Sequence, residues 1–130
     1  MVRRSVVSVL MLVAVAGAAV GATLAFRAAP EPRDIVFVAR GMAFHIAGDP
    51  SPNPVVHVTS GERVRFVLRN EATGFEHDLA IPALGLALAP TAAGETRAAS
   101  VRIPPTPGRF PYVCRPHAQM MRGTLVVADR

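Results

Sequence analysis

The sequence predicts an all-β sandwich, and three observations carry that prediction. From residue 34 onward, apolar and polar residues alternate in short runs. Gly and Pro clusters interrupt those runs at short intervals. After the first thirty residues, no stretch keeps a helical period for ten residues or more.

The N-terminal segment stands apart from this pattern. Met1-Val2-Arg3-Arg4 leads into an uncharged run from Ser5 to Phe26, which reads as an export signal or a membrane anchor. As a helix that run would span about 33 Å, enough to cross a bilayer core. Against an anchor, Ala16-Gly17-Ala18 offers a small-residue cleavage pattern, so both readings stay open. Either places the remainder outside the cytoplasm, in the periplasm or an equivalent compartment. Residues 1–29 are therefore read as signal peptide or anchor. Residues 30–33, with Pro30 and Pro32, are read as an extended linker. Residues 34–130 are read as the folded domain.

Eight strands are expected. The clearest is Arg63 to Arg69, where Val64, Phe66 and Leu68 fall on one face and three arginines on the other. Turn residues bound it on both sides, Thr59 to Glu62 before and Asn70 to Gly74 after. The others are Asp34 to Ala39, Ala43 to Ile46, Val55 to Val58, His77 to Ile81, Ala98 to Ile103, Phe110 to Cys114 and Thr124 to Ala128. Pro104-Pro105-Thr106-Pro107-Gly108 marks a turn. On the strand that follows, Phe110, Tyr112 and Cys114 share a face, and Pro116 ends it. The segment Pro82 to Ala93 is poor in β-branched residues and is expected to be a long connection with a helical turn, at the same end as His77.

Composition narrows the function. The formal charge of +5 is concentrated around the leader. From Asp34 onward there are ten arginines against eight acids, so a basic nucleic-acid face is not indicated. A single cysteine excludes an internal disulfide and leaves a free thiol, an intermolecular link or a metal ligand. The surrounding loop, Tyr112-Val113-Cys114-Arg115-Pro116-His117-Ala118-Gln119-Met120-Met121-Arg122-Gly123, favours the ligand. A thiolate, an imidazole and a thioether on one short loop suit copper better than hard cations. Cys114, His117 and Met121 supply three ligands, and His77 is the candidate for the fourth. Register with Arg122-Gly123 favours Met121 over Met120. His45 and His57 lack a neighbour at ligand spacing and are read as structural or exposed.

These residues resemble the cupredoxins, the small blue copper proteins that include plastocyanin, amicyanin and azurin. The resemblance covers roughly residues 34–130. Its specific part is Gly-x-Phe-x-Tyr-x-Cys-x-Pro-His-x-x-x-Met-x-Gly-x-Leu, from Gly108 to Leu125, with His77-Asp78 upstream. It implies a Greek-key β-sandwich holding one type 1 copper on His77, Cys114, His117 and Met121. A two-copper centre would need two bridging cysteines, and this chain has one. The resemblance also implies an amide from Asp78 to the Cys114 sulfur. A second amide, two residues past the cysteine, is not expected because Pro116 has no N–H.

The implied function is single-electron transport between extracytoplasmic redox partners, such as a cytochrome c, an oxidase, a reductase or a dehydrogenase. The protein is expected to be a monomer and not itself an enzyme, since neither an open coordination position nor further copper sites are indicated. The alternative is copper delivery or storage without electron transfer. An apolar docking patch of Leu84, Leu86, Leu88, Ala118 and Met120 is expected around His117.

Overall fold

The computed structural model describes residues 28–130, and the expected leader lies outside the described residues except for its last two positions. Nine strands are described: β1 (Arg33–Arg40), β2 (Ala43–Ile46), β3 (Val56–Thr59), β4 (Arg63–Asn70), β5 (His77–Ile81), β6 (Leu86–Thr91), β7 (Thr96–Arg102), β8 (Gly108–Val113) and β9 (Arg122–Ala128). They form a four-stranded sheet, β2-β1-β4-β7, and a five-stranded sheet, β3-β9-β8-β5-β6. Most neighbours are antiparallel, but β1 runs parallel to β4 and β3 parallel to β9. The architecture is the predicted β-sandwich.

Alternation along the strands makes the core. In β4, Val64, Phe66 and Leu68 are fully buried while Arg63, Arg65 and Arg69 stay exposed. Phe37 of β1, Phe44 of β2 and Tyr112 of β8 close edge-on against one another, with centroids 4.9–5.7 Å apart. Each such side chain contributes about 2 kcal/mol by leaving water. Among the described residues, the core cluster runs from Ile35 to Val127.

Tyr112 sets the packing beside the functional end. Its hydroxyl donates to the Pro54 carbonyl at 2.6 Å, and its ring lies across the neighbouring strand, where it pairs in register with Gly123. A β-carbon at Gly123 would fall 2.2 Å from the Tyr112 ring. Only glycine fits there.

The segment after β5 departs from expectation. A short 3₁₀ turn, Pro82–Leu84, does form, but it follows the end of β5 remote from His77. The chain then returns as β6, antiparallel to β5, with Leu88 opposite Leu79 and Thr91 opposite His77. This pairing imposes a strand that the composition did not suggest. Leu86 and Leu88 consequently belong to the core rather than to a surface patch.

Candidate metal centre

His77 opens β5 directly after a tight turn at Gly74, which has φ +79°. Buried Asn70 holds that turn: its amide donates to the carbonyls of Phe75 and Thr91, both at 2.8 Å, and its oxygen accepts the Ala72 N–H at 2.9 Å. Cys114 follows β8, and Pro116 sits in a 3₁₀ turn, Arg115–His117. The loop closes on its own backbone. The Cys114 N–H donates to the Met121 carbonyl, and the Met121 N–H to the His117 carbonyl, each at 2.9 Å. The cysteine, the histidine and the methionine are therefore fixed relative to one another before any ligand binds.

Between these two segments the side chains converge. The Cys114 sulfur lies 3.7 Å from His77 Nδ1 and 3.5 Å from His117 Nδ1. The three ligand atoms all fall within 4.8 Å of one another. Met121 is fully buried, whereas Met120 is 54% exposed. The structure thus brings His77, Cys114 and His117 together and turns Met121, not Met120, inward. His45 and His57 lie elsewhere: the His45 ring faces the carbonyls of Pro50 and Ser51, and His57 is exposed on β3.

The electrostatics suit a metal. Burial, reinforced by the neighbouring His117, lowers the His77 pKa, which keeps its imidazole neutral and able to donate a lone pair. The Gly41 carbonyl acts in the opposite direction, yet His77 Nε2 is buried without a full hydrogen bond. Burial also raises the Cys114 pKa, so without a metal it is a thiol. Backbone amides of Asp78 and of His117 oppose that rise. The His117 N–H itself donates to the Cys114 carbonyl at 3.1 Å rather than to the sulfur. Two imidazoles and a thiol converge, and the buried Met121 thioether would complete the donor set that copper favours. A metal binding there must displace the Cys114 proton.

Three surrounding groups were not evident in the sequence. Asp78, almost fully buried, accepts from the Arg115 N–H and from Arg115 Nε, both at 2.7 Å. This pair ties β5 to the ligand loop. The Asn53 amide donates to the Met120 carbonyl at 2.9 Å, while its oxygen accepts the Phe44 N–H at 3.0 Å. Phe75, 48% exposed, stacks on His77 and sets its edge toward His117, with centroids 6.4 and 6.1 Å away. An acid after His77 and an arginine after Cys114 were the available clue to the first. Nothing local announced the other two.

No protein-family model matches the sequence, and no curated protein sequence matches it. Solved structures do. Auracyanin from Roseiflexus castenholzii superimposes with a TM-score of 0.60 at 14% identity, covering 76% of this chain and 99% of that one. A rusticyanin variant gives 0.63 at 20% identity, covering 77% and 80%. A copper-containing nitrite reductase from Thermus scotoductus gives 0.59 at 26% identity, but this chain spans only 28% of that enzyme. Architecture and likeness agree: residues 28–130 have the cupredoxin fold, with a His-Cys-His cluster at one end of the sandwich.

Proposed function

We propose that the protein is a mononuclear type 1 copper protein that carries single electrons between extracytoplasmic redox partners. The observation that carries this reading is the convergence of one ring nitrogen each from His77 and His117 with Cys114 Sγ, all within 4.8 Å of one another. These three would hold the copper, with Met121 as the weak axial donor. Copper so bound supplies one-electron exchange between Cu(II) and Cu(I). What the chain adds is rigidity: Asn70 braces the His77 turn, Asp78 and Arg115 join the two ligand segments, and the Cys114–Met121 backbone bonds close the loop. A site that does not rearrange keeps the barrier to each transfer low.

His117 is half-buried, and its ring joins the centre to the surface. Around it the exposed apolar side chains are Phe75 and Met120, in place of the leucines of β6. A cytochrome c, an oxidase, a reductase or a dehydrogenase would dock there.

The test is the visible spectrum of the domain from Ala28 onward, loaded with Cu(II) and then reduced with ascorbate. An intense thiolate-to-copper band that bleaches and returns on reoxidation, and that is lost in Cys114→Ser, is expected. Copper binding without that band would replace electron transport with delivery or storage.

A further inference from the structure

The end of the sandwich remote from the metal centre carries a second feature. β4 runs from Arg63 to Asn70, and since Asn70 braces the His77 turn, Arg63 lies at the opposite end, about 25 Å away along the strand. There a cavity of about 420 Å³ is lined by Arg63, Arg102 and Arg130, together with Arg33, Glu31 and Glu62.

The charges in this cavity do not balance internally. Arg33 takes up Glu62, at 2.7 Å. Arg63, Arg102 and Arg130 make no salt bridge among the described residues, and residues 1–27 contain no acid that could reach them. Glu31 is the remaining side-chain carboxylate of the lining. Moreover, Arg63 and Arg102 face each other in register across β4 and β7, a like-charge pair that destabilises a sheet unless an anion lies between. Arg102 Nη1 is already oriented by a 2.9 Å bond to the Gly61 carbonyl, and the Arg130 guanidinium packs over the same glycine. Guanidinium forks match the paired oxygens of a phosphate.

The described chain also enters the domain here. Ala29 and Pro30 line the cavity, directly after the uncharged apolar segment of residues 5–26. We propose that Arg63, Arg102 and Arg130 form a binding site for a phosphate group, borne by an anionic phospholipid headgroup or by free phosphate. With a headgroup in place, the domain rests on a membrane by this end and turns the His77–Cys114–His117 cluster outward.

The test uses the domain from Ala28 onward, which holds the core cluster from Ile35 to Val127, in two arms. In the first, sedimentation measures binding to phosphatidylcholine vesicles with and without phosphatidylglycerol. Arg63→Gln with Arg102→Gln should weaken binding to the anionic vesicles about thirtyfold, at roughly fivefold per arginine. The charge-matched control, Arg69→Gln with Arg122→Gln at the metal end, should weaken it far less. In the second arm, inorganic phosphate is compared with chloride at equal ionic strength. A rise in wild-type Tm that is absent from the Arg63/Arg102 variant, without vesicle recruitment, assigns the site to free phosphate. Equal losses in both double variants, or no response in either arm, overturns the proposal. Misfolding is separable from lost binding, because relief of the like-charge pair should leave the double variant's Tm in chloride at or above that of wild type.

Discussion

Gly123→Ala tests the packing that holds the ligand loop. The added β-carbon would lie 2.2 Å from both Cζ and Oη of Tyr112 and 2.7 Å from Cε1, where ordinary contact needs about 3.5 Å or more. More than an ångström of movement is required. The ring cannot supply it easily, being fully buried, pressed by Phe37 at 4.9 Å and bonded to Pro54 at 2.6 Å. If the ring moves, the Pro54 bond is lost at about 1 kcal/mol, in addition to an overpacking cost of about 3 kcal/mol. If β9 moves instead, it carries Met121 with it. The expected loss is about 4 kcal/mol, or a fall in Tm of about 15 °C or more for a domain of this size. Urea denaturation of the copper-free domain measures it. Tyr112→Phe should not rescue the variant, because Cζ itself is in the way. A loss under about 1 kcal/mol would refute the reasoning and place the ring elsewhere.

Four further outcomes are expected. Met121→Leu should keep the thiolate-to-copper band and raise the reduction potential by voltammetry, whereas Met120→Leu should change neither; a reversal would exchange the axial assignment. Asp78→Asn removes a buried negative charge beside the centre, so the potential should rise, and the copper-free domain should lose about 1–2 kcal/mol as the pairing with Arg115 weakens. Asn53→Ala frees the Met120 carbonyl and the Phe44 N–H and should cost about 1–2 kcal/mol in urea, with faster copper loss to a chelator. The last concerns alkaline pH. The chain has no lysine, one cysteine and one tyrosine, and burial raises the pKa of both Cys114 and Tyr112. Raised folded pKa values give stability that is present below the unfolded values and lost above them. Copper-free stability should therefore fall above about pH 9, by about 1.4 kcal/mol per pH unit for each of the two groups that is ionised in the unfolded chain and still protonated in the folded one. Cys114→Ala should make the fall shallower at its onset, leaving the part due to Tyr112.

The strands most visible in the sequence were those whose alternation matches a one-sided core, such as β4, with Val64, Phe66 and Leu68 inward. β6 escaped notice because Leu86-Ala87-Leu88-Ala89-Pro90-Thr91 owes its conformation to pairing with β5, a long-range effect that propensity does not record. For the candidate metal centre, a local spacing singled out Cys114, His117 and Met121, and a chemical argument about donors added His77; the structure brings His77, Cys114 and His117 together. The groups that brace them were hidden for a different reason. Asn53 and Met120 are 67 residues apart, and Asp78 and Arg115 are 37 apart. Only the fold makes such pairs neighbours.

The parallel pairing of β3 with β9 bears on how the molecule is made. β9 is the last of the described strands, and it joins β3, some seventy residues earlier, and β8. Neither this pairing nor β1 with β4 can form by a hairpin, so long loops must close first, which places folding on the millisecond-to-second scale. Until β9 docks, Met121 has no fixed place and Cys114 lacks the backbone partner that orients it. Metal uptake then follows folding rather than guiding it. During that interval the thiol is open to oxidants, and conditions of synthesis that delay closure of the last strand will reduce the yield of loadable protein without altering its final stability.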